Sequence, residues 1–257
     1  MRPWKRIAGP EDDLFGALDT ARPAAETRPA LGDLRFRSLL SQEDWASLPA
    51  PIRRRFSKRL ADGSTAVYVG EVIETRMSRC GWLLAQLARL IGGPLPTARD
   101  AGLPSVVTVT EDLATGGQIW TRLYARRKGF PQIIHSSKRF AGPTGLEEYL
   151  GYGIGMALTI HVERRALVFR SAFYYLRVGK RRFALPGFAS PGALTVSHAE
   201  IGDGRFLFRL EIVHPRFGEL IRQSVVFREA TPEPEPREGA RRLTSPTARE
   251  PHSEASP

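Results

Sequence analysis

The chain has 257 residues, 42% of them hydrophobic and 9% aromatic, enough to fill a real core, while 20 prolines and 24 glycines require many turns or unfolded ends. The formal charge is +11, yet only five of the 38 basic residues are lysines. Such an arginine bias, with abundant Ala, Gly and Pro, is what a GC-rich genome writes, so the charge bears on solubility and non-specific binding, and nucleic acid is not the expected partner. Cys80 is the only cysteine, which excludes an internal disulfide or a cysteine metal cage and fits a reducing compartment. No signal-like apolar run follows the first residues, and none reaches the roughly 18 residues of a membrane span, so a cytoplasmic location is expected.

Residues 1–33 read as a flexible tail with room for a short helix from Glu11 to Leu18. Phe36 to Lys58 is expected to be helical in two pieces. Leu39, Leu40, Trp45 and Leu48 recur at helical spacing, Ser41 with Asp44 resembles a capping box, and Pro49 with Pro51 breaks the run before Ile52 resumes it. Arg53-Arg54-Arg55 reads as a solvated helix face.

After Gly63 the periodicity changes to two. The expected strands are Ala66 to Met77, Ser105 to Asp112, Gln118 to Arg126, Gln132 to Phe140, Gly153 to Val162, Leu167 to Val178, Ala193 to Glu200, Arg205 to Val213 and Glu219 to Arg228. Thr115-Gly116-Gly117, Val178-Gly179-Lys180, Gly202-Asp203-Gly204 and Phe217-Gly218 have hairpin composition, because Gly and Asp supply positive φ. Joints this short make neighbours antiparallel, since a parallel crossover needs a dozen or more residues.

The fold class is therefore mainly β (α+β): a long curved antiparallel sheet or barrel-like meander of about nine strands, with N-terminal helices. It is assigned to residues 34–229, followed by a disordered tail over 230–257 in which Pro, Glu, Ser and Thr leave almost nothing to bury. One amphipathic helix is inserted, from Arg79 to Ile91, with Trp82, Leu83, Leu87, Leu90 and Ile91 on one stripe. It could close the sheet as core, act as a ligand lid, or rest peripherally on a membrane; an apolar stripe is most often core.

Several short motifs in this order resemble a bacterial family known as domain of unknown function 4166. They are Phe36-Arg37-Ser38-Leu39-Leu40, Leu48-Pro49 with Arg53, Trp120-Thr121-Arg122, Leu185-Pro186, and Asp203-Gly204-Arg205-Phe206-Leu207-Phe208 leading to Gly218. The resemblance covers about Leu34 to Arg228. It implies an uncharacterised domain, found elsewhere joined to a nicotinamide-binding, saccharopine-dehydrogenase-like domain, and hence a possible oxidoreductase partner. The family often has a histidine where this chain has Phe56-Ser57.

The chemistry-bearing residues are sparse. Gly151-Tyr152-Gly153-Ile154-Gly155 superficially matches a dinucleotide loop, but a period-two strand follows it instead of a helix, so a bend in the sheet is expected. The histidines are scattered singly, and neither a metal nor a cofactor is expected. His161 and His198, with Glu163 and Glu200 nearby, are the speculative acid-base candidates, against the blander reading of structural histidines. No Gly-x-Ser-x-Gly elbow occurs, and Glu147-Glu148 reads as a solvated loop.

What remains is aromatics and arginines on strands. Trp120, Arg122 and Tyr124 alternate on one face; Phe169, Phe173, Tyr175 and Arg177 alternate on another, with Arg170 beside them. This mixture suits a concave site with apolar walls and a charge to orient an anionic head group. The first expectation is thus non-catalytic binding of a lipid or other amphipathic small molecule. A module docking on an oxidoreductase, and a hydrolase or isomerase using a strand histidine, are the rivals.

Overall fold

The computed structural model describes residues 33–61, 63–179 and 181–230; the short helix from Glu11 to Leu18 and the two expected tails lie outside the described residues, save Asp33 and Ala230, whose N–H groups donate to the Ser57 and Val67 carbonyls. The period-two region forms eleven strands: β1 Ala66–Met77, β2 Leu103–Asp112, β3 Gly117–Tyr124, β4 Gln132–Arg139, β5 Glu147–Gly151, β6 Ile154–Glu163, β7 Ala166–Val178, β8 Arg181–Ala184, β9 Ala193–Gly202, β10 Arg205–His214 and β11 Gly218–Glu229. Strands β1 to β7 pair in chain order, β7 pairs with β9, β9 to β11 continue the meander, and β11 returns to β1. Every pairing is antiparallel, so ten strands close into an up-and-down barrel and β8 rides outside on β7.

All nine expected strands are present, and the hairpin joints fall where Gly and Asp placed them. The Gly151-Tyr152-Gly153 run is the turn from β5 to β6, with φ of 107°, 52° and 82°. The two additional strands are short. Strand β5 meets β4 through only three residue pairs, Ser137↔Tyr149, Lys138↔Glu148 and Arg139↔Glu147. Strand β7 is divided: Leu167 to Arg170 pairs with β9, whereas Tyr175 to Val178 pairs with β8.

One end of the barrel is plugged by the N-terminal helices, α1 Gln42–Ser47 and α2 Ala50–Phe56. The Ser41 hydroxyl accepts the Asp44 N–H at 3.0 Å, as the capping pattern requires. Pro51 sits in the first turn of α2, where its missing N–H costs nothing, so the helix starts at Ala50, ahead of the expected Ile52. Phe36, Trp45, Leu48, Ile52 and Phe56 are all buried. The Phe36 ring stands edge-on to Phe56 at 5.3 Å and to Phe169 of β7 at 6.1 Å, which locks the plug into the bore. Arg55 departs from the solvated reading of its trio: its guanidinium lies 3.6 Å over the Phe206 ring and 3.7 Å from Glu200.

At the opposite end lies α3, Arg79–Ala88, prolonged by a 3-10 turn over Arg89–Ile91 and stopped at Gly92 with φ +93°. Its orientation departs from the core reading for four of the five stripe residues, Ile91 alone packing against the core. Gly81, Ala85 and Ala88 are the buried face, while Trp82, Leu83, Leu87 and Leu90 are exposed. The cause is close backbone approach: a Cβ at position 81 would lie 1.9 Å from the Leu220 carbonyl oxygen of β11. Only small residues fit that seat, so the large ones turn outward and toward the barrel mouth.

Because Phe36 is wholly buried in the plug, Phe36→Ala is expected to lower the unfolding free energy by about 3–5 kcal/mol. Chemical denaturation checks this. A cost below about 1 kcal/mol would mean that the plug is not part of the cooperative core.

Candidate functional site

Between the plug and α3 the barrel holds a cavity of about 620 Å³. Strand alternation decides its lining. Ile134, Leu150, Met156, Leu194 and Phe208 form apolar walls, and Leu83, Leu84 and Leu87 of α3 stand at the mouth. Leu185 and Phe188 cover the side where β7 and β9 part. Toward the plugged end, the buried side chains of Trp120, Lys138, Leu158, Phe169, His198 and Phe206 fill the bore.

The cavity floor is charged. Arg122 and Glu148 both line it, together with Ser136. The Arg122 Nη1 donates to the Ser136 hydroxyl at 3.0 Å, and its Nη2 lies 3.6 Å from Glu148 Oε1. On the other side the Lys138 ammonium donates to Glu148 Oε2 at 2.9 Å. It sits between the Trp120 and Phe169 rings, 5.1 and 5.3 Å from their centres. Burial would raise the Glu148 carboxyl, but Lys138, then Arg122 and the Ser136 hydroxyl, bring it down to about 2. Burial holds Lys138 below the usual lysine range against the pull of Glu148. Two cations thus face one carboxylate.

Tyr174 also lines the cavity; its hydroxyl is buried near the Ser171 side chain. Burial pushes it up to about 12, so it remains a proton donor at neutral pH.

The structure sorts the residues singled out from sequence. Arg122 and Tyr124 line the cavity, and Trp120 and Phe169 pack beneath it. The supposed face of Phe169, Phe173, Tyr175 and Arg177 is broken by a β-bulge. Leu158 pairs with Ser171 and Ala157 with Phe173, leaving Ala172 over, so the alternation slips by one and Tyr174 takes the inward place. Phe173 is consequently 37% exposed. Arg177 lies over the Tyr149 ring, and Tyr175 lies under Arg182. Arg170 is paired with Glu163 at 3.3 Å, well away from the cavity.

The two histidines do not meet. His198 lies across the ladder from Leu167 and His161 from Val168, and consecutive strand residues point to opposite faces. His161 bonds the exposed Glu163 at 2.8 Å. His198 is enclosed by Phe56, Phe169, Phe206 and Phe208. Burial, reinforced by the charges of Arg55, Lys138 and Arg122, holds it well below the usual histidine range, hence neutral. Phe56, in the Phe56-Ser57 region where the resembled family often has a histidine, is 5.1 Å from this ring.

Sequence reasoning missed Lys138, Glu148, Ser136 and Tyr174. Glu147-Glu148 is no solvated loop: both carboxylates are buried on β5, Glu147 paired with Arg182 and Glu148 with Lys138. The readable signal was the alternation Leu146-x-Glu148-x-Leu150. Among the described residues, no group of three or more His, Cys, Asp or Glu is placed to hold a metal ion.

A closed antiparallel barrel, plugged at one end and hollow at the other over a buried ion-pair floor, is the class of protein that these features define. The family model described as Domain of unknown function (DUF4166) matches residues 48–227, and the chain belongs to that family. No curated protein matches it.

Acid should destabilise the fold in two stages. His198 has a folded pKa below its unfolded 6.5, so its contribution is complete above that value and declines as pH falls below it. Glu148 is depressed from 4.5 to about 2, so its contribution is lost across that lower interval. His198→Phe is expected to remove the upper stage. Glu148→Gln, which strands two buried cations, should cost about 3–5 kcal/mol at neutral pH and flatten the lower stage. Thermal melts from pH 8 to pH 3 distinguish these outcomes, and a wild-type melting temperature independent of pH would contradict both assignments.

Proposed function

We propose that the barrel binds an amphipathic small molecule, its apolar body in the cavity and a compact anionic or acceptor-bearing head at the floor. The observation that carries this reading is a cavity of about 620 Å³ whose apolar walls end at buried Arg122. Cavities of roughly 300–1,000 Å³ with a few convergent polar groups are the usual form of small-molecule sites. The excess of two cations over one carboxylate favours negative charge.

Binding without turnover is the reading that these groups support. Glu148 is ionised and already paired at 2.9 Å, which makes it a weak base near neutral pH. His198 is sealed among aromatic rings, out of contact with anything in the cavity.

Organic extraction of the purified chain followed by mass spectrometry is expected to release an amphipathic compound. The stripped protein should then bind dodecanoate more tightly than dodecanol. Arg122→Met should weaken dodecanoate by about tenfold, the scale of one lost charge-assisted hydrogen bond, with little effect on dodecanol. Leu210→Trp, which projects into the cavity, should weaken both. An empty extract together with no binding of either probe would overturn the proposal.

A further inference from the structure

We infer that the open end of the barrel is a docking surface for anionic phospholipid bilayers, whatever compound fills the cavity. The first observation is the one-sided distribution of exposed apolar side chains. The mouth is formed by the connections 78–102, 125–131, 152–153, 181–192 and 215–217. Trp82, Leu83, Leu87 and Leu90 project there from α3, Leu90 being 80% exposed. Phe130 and Phe188, 90% and 91% exposed, and Phe217 belong to neighbouring connections. At the plugged end the large exposed apolar residues among those described are only Leu34, Leu113 and Ile201. Apolar side chains gathered at one end in this way point to an interaction site.

Charge decides what that site meets. The same connections carry the exposed Arg79, Arg89, Arg126, Lys128 and Arg216. Their single acidic residue by sequence is Asp100, itself beside Arg127 at 3.7 Å. A basic rim around protruding aromatic and leucine side chains matches the two layers of an anionic bilayer surface: phosphates outside, acyl chains beneath. Arg89 and Arg126 moreover share a cleft of about 370 Å³ with Gln86, Thr97 and Gln132, a polar seat of head-group dimensions beside Leu90. The barrel wall is mixed: Ile73, Ile133, Phe173 and Val213 are exposed on its strands, while outward Arg222 and Glu211 are ion-paired across β10 and β11 at 3.1 Å. The basic rim and the most exposed apolar side chains, Leu90, Phe130 and Phe188, lie at the mouth, so contact is end-on.

The test is flotation of the full chain with vesicles of phosphatidylcholine alone or of equal parts phosphatidylcholine and phosphatidylserine. Binding is expected to the anionic vesicles only, and to weaken with salt. Leu90→Glu and Phe130→Glu, both at exposed positions where folding is not at stake, should each reduce it by about tenfold or more. Arg89→Ser with Arg126→Ser should do likewise, and Leu113→Glu at the plugged end, 88% exposed, should change nothing. Three results would overturn the inference. They are the absence of flotation, salt-sensitive flotation indifferent to Leu90→Glu and Phe130→Glu, and a concentration-dependent dimer abolished by Leu90→Glu, which would make a second copy the occupant. Dodecanoate binding by the same variants is measured in parallel; since none touches the floor, it should persist and keeps the two proposals separable.

Discussion

Closing ten strands into one ring encloses more cross-section than inward side chains fill. About eight strands is the width at which they just meet. The remainder of the molecule follows from how that surplus is distributed. At one end Phe36, Phe56, Phe169, Phe206 and Trp120 are large enough to meet across the bore, with two short helices behind them. At the other, Leu194, Met156 and Ile134 stop short of one another, and the space between them is left hollow.

The boundary between filled and hollow halves is polar, and its energetics constrain what can stand there. Three charges out of water are costly, and they are tolerated because each finds a partner: Glu148 two cations, Arg122 also the Ser136 hydroxyl, Lys138 also two aromatic faces. The arrangement leaves one positive charge in excess. A polar floor under apolar walls gives the cavity a direction, charged at one end and apolar along its sides.

Much of the fold was legible in sequence, because a sheet with one buried face writes its alternation into the residues. Phe206, Phe208, Leu210 and Ile212 against Arg209 and Glu211 is the plainest instance. Two strands were not, for different reasons: β5 carries adjacent glutamates that mimic a loop, and β8 is four residues of which none is buried. Periodicity also could not orient α3. Its small residues Gly81, Ala85 and Ala88 recur as regularly as its large ones, and only the proximity of Leu220 decides which stripe docks. Of the candidate site, Trp120, Arg122 and Tyr124 were found by alternation. The bulge at Ala172, which misled the same reasoning on β7, leaves no mark in the sequence. Lys138 and Glu148 acquire meaning only once their strands are known to be adjacent.

The three-residue ladder between β4 and β5 gives that ion pair a second property. Lys138 and Glu148 stand directly opposite one another in it, so the side-chain bond spans the same seam as the few backbone bonds and acts as a clasp on it. Glu148, which lines the cavity floor, is thereby also one of the residues that fasten the ring. Sequence drift that retunes the floor must also refasten the seam, which couples the charge presented to the cavity to the barrel's integrity as a ring.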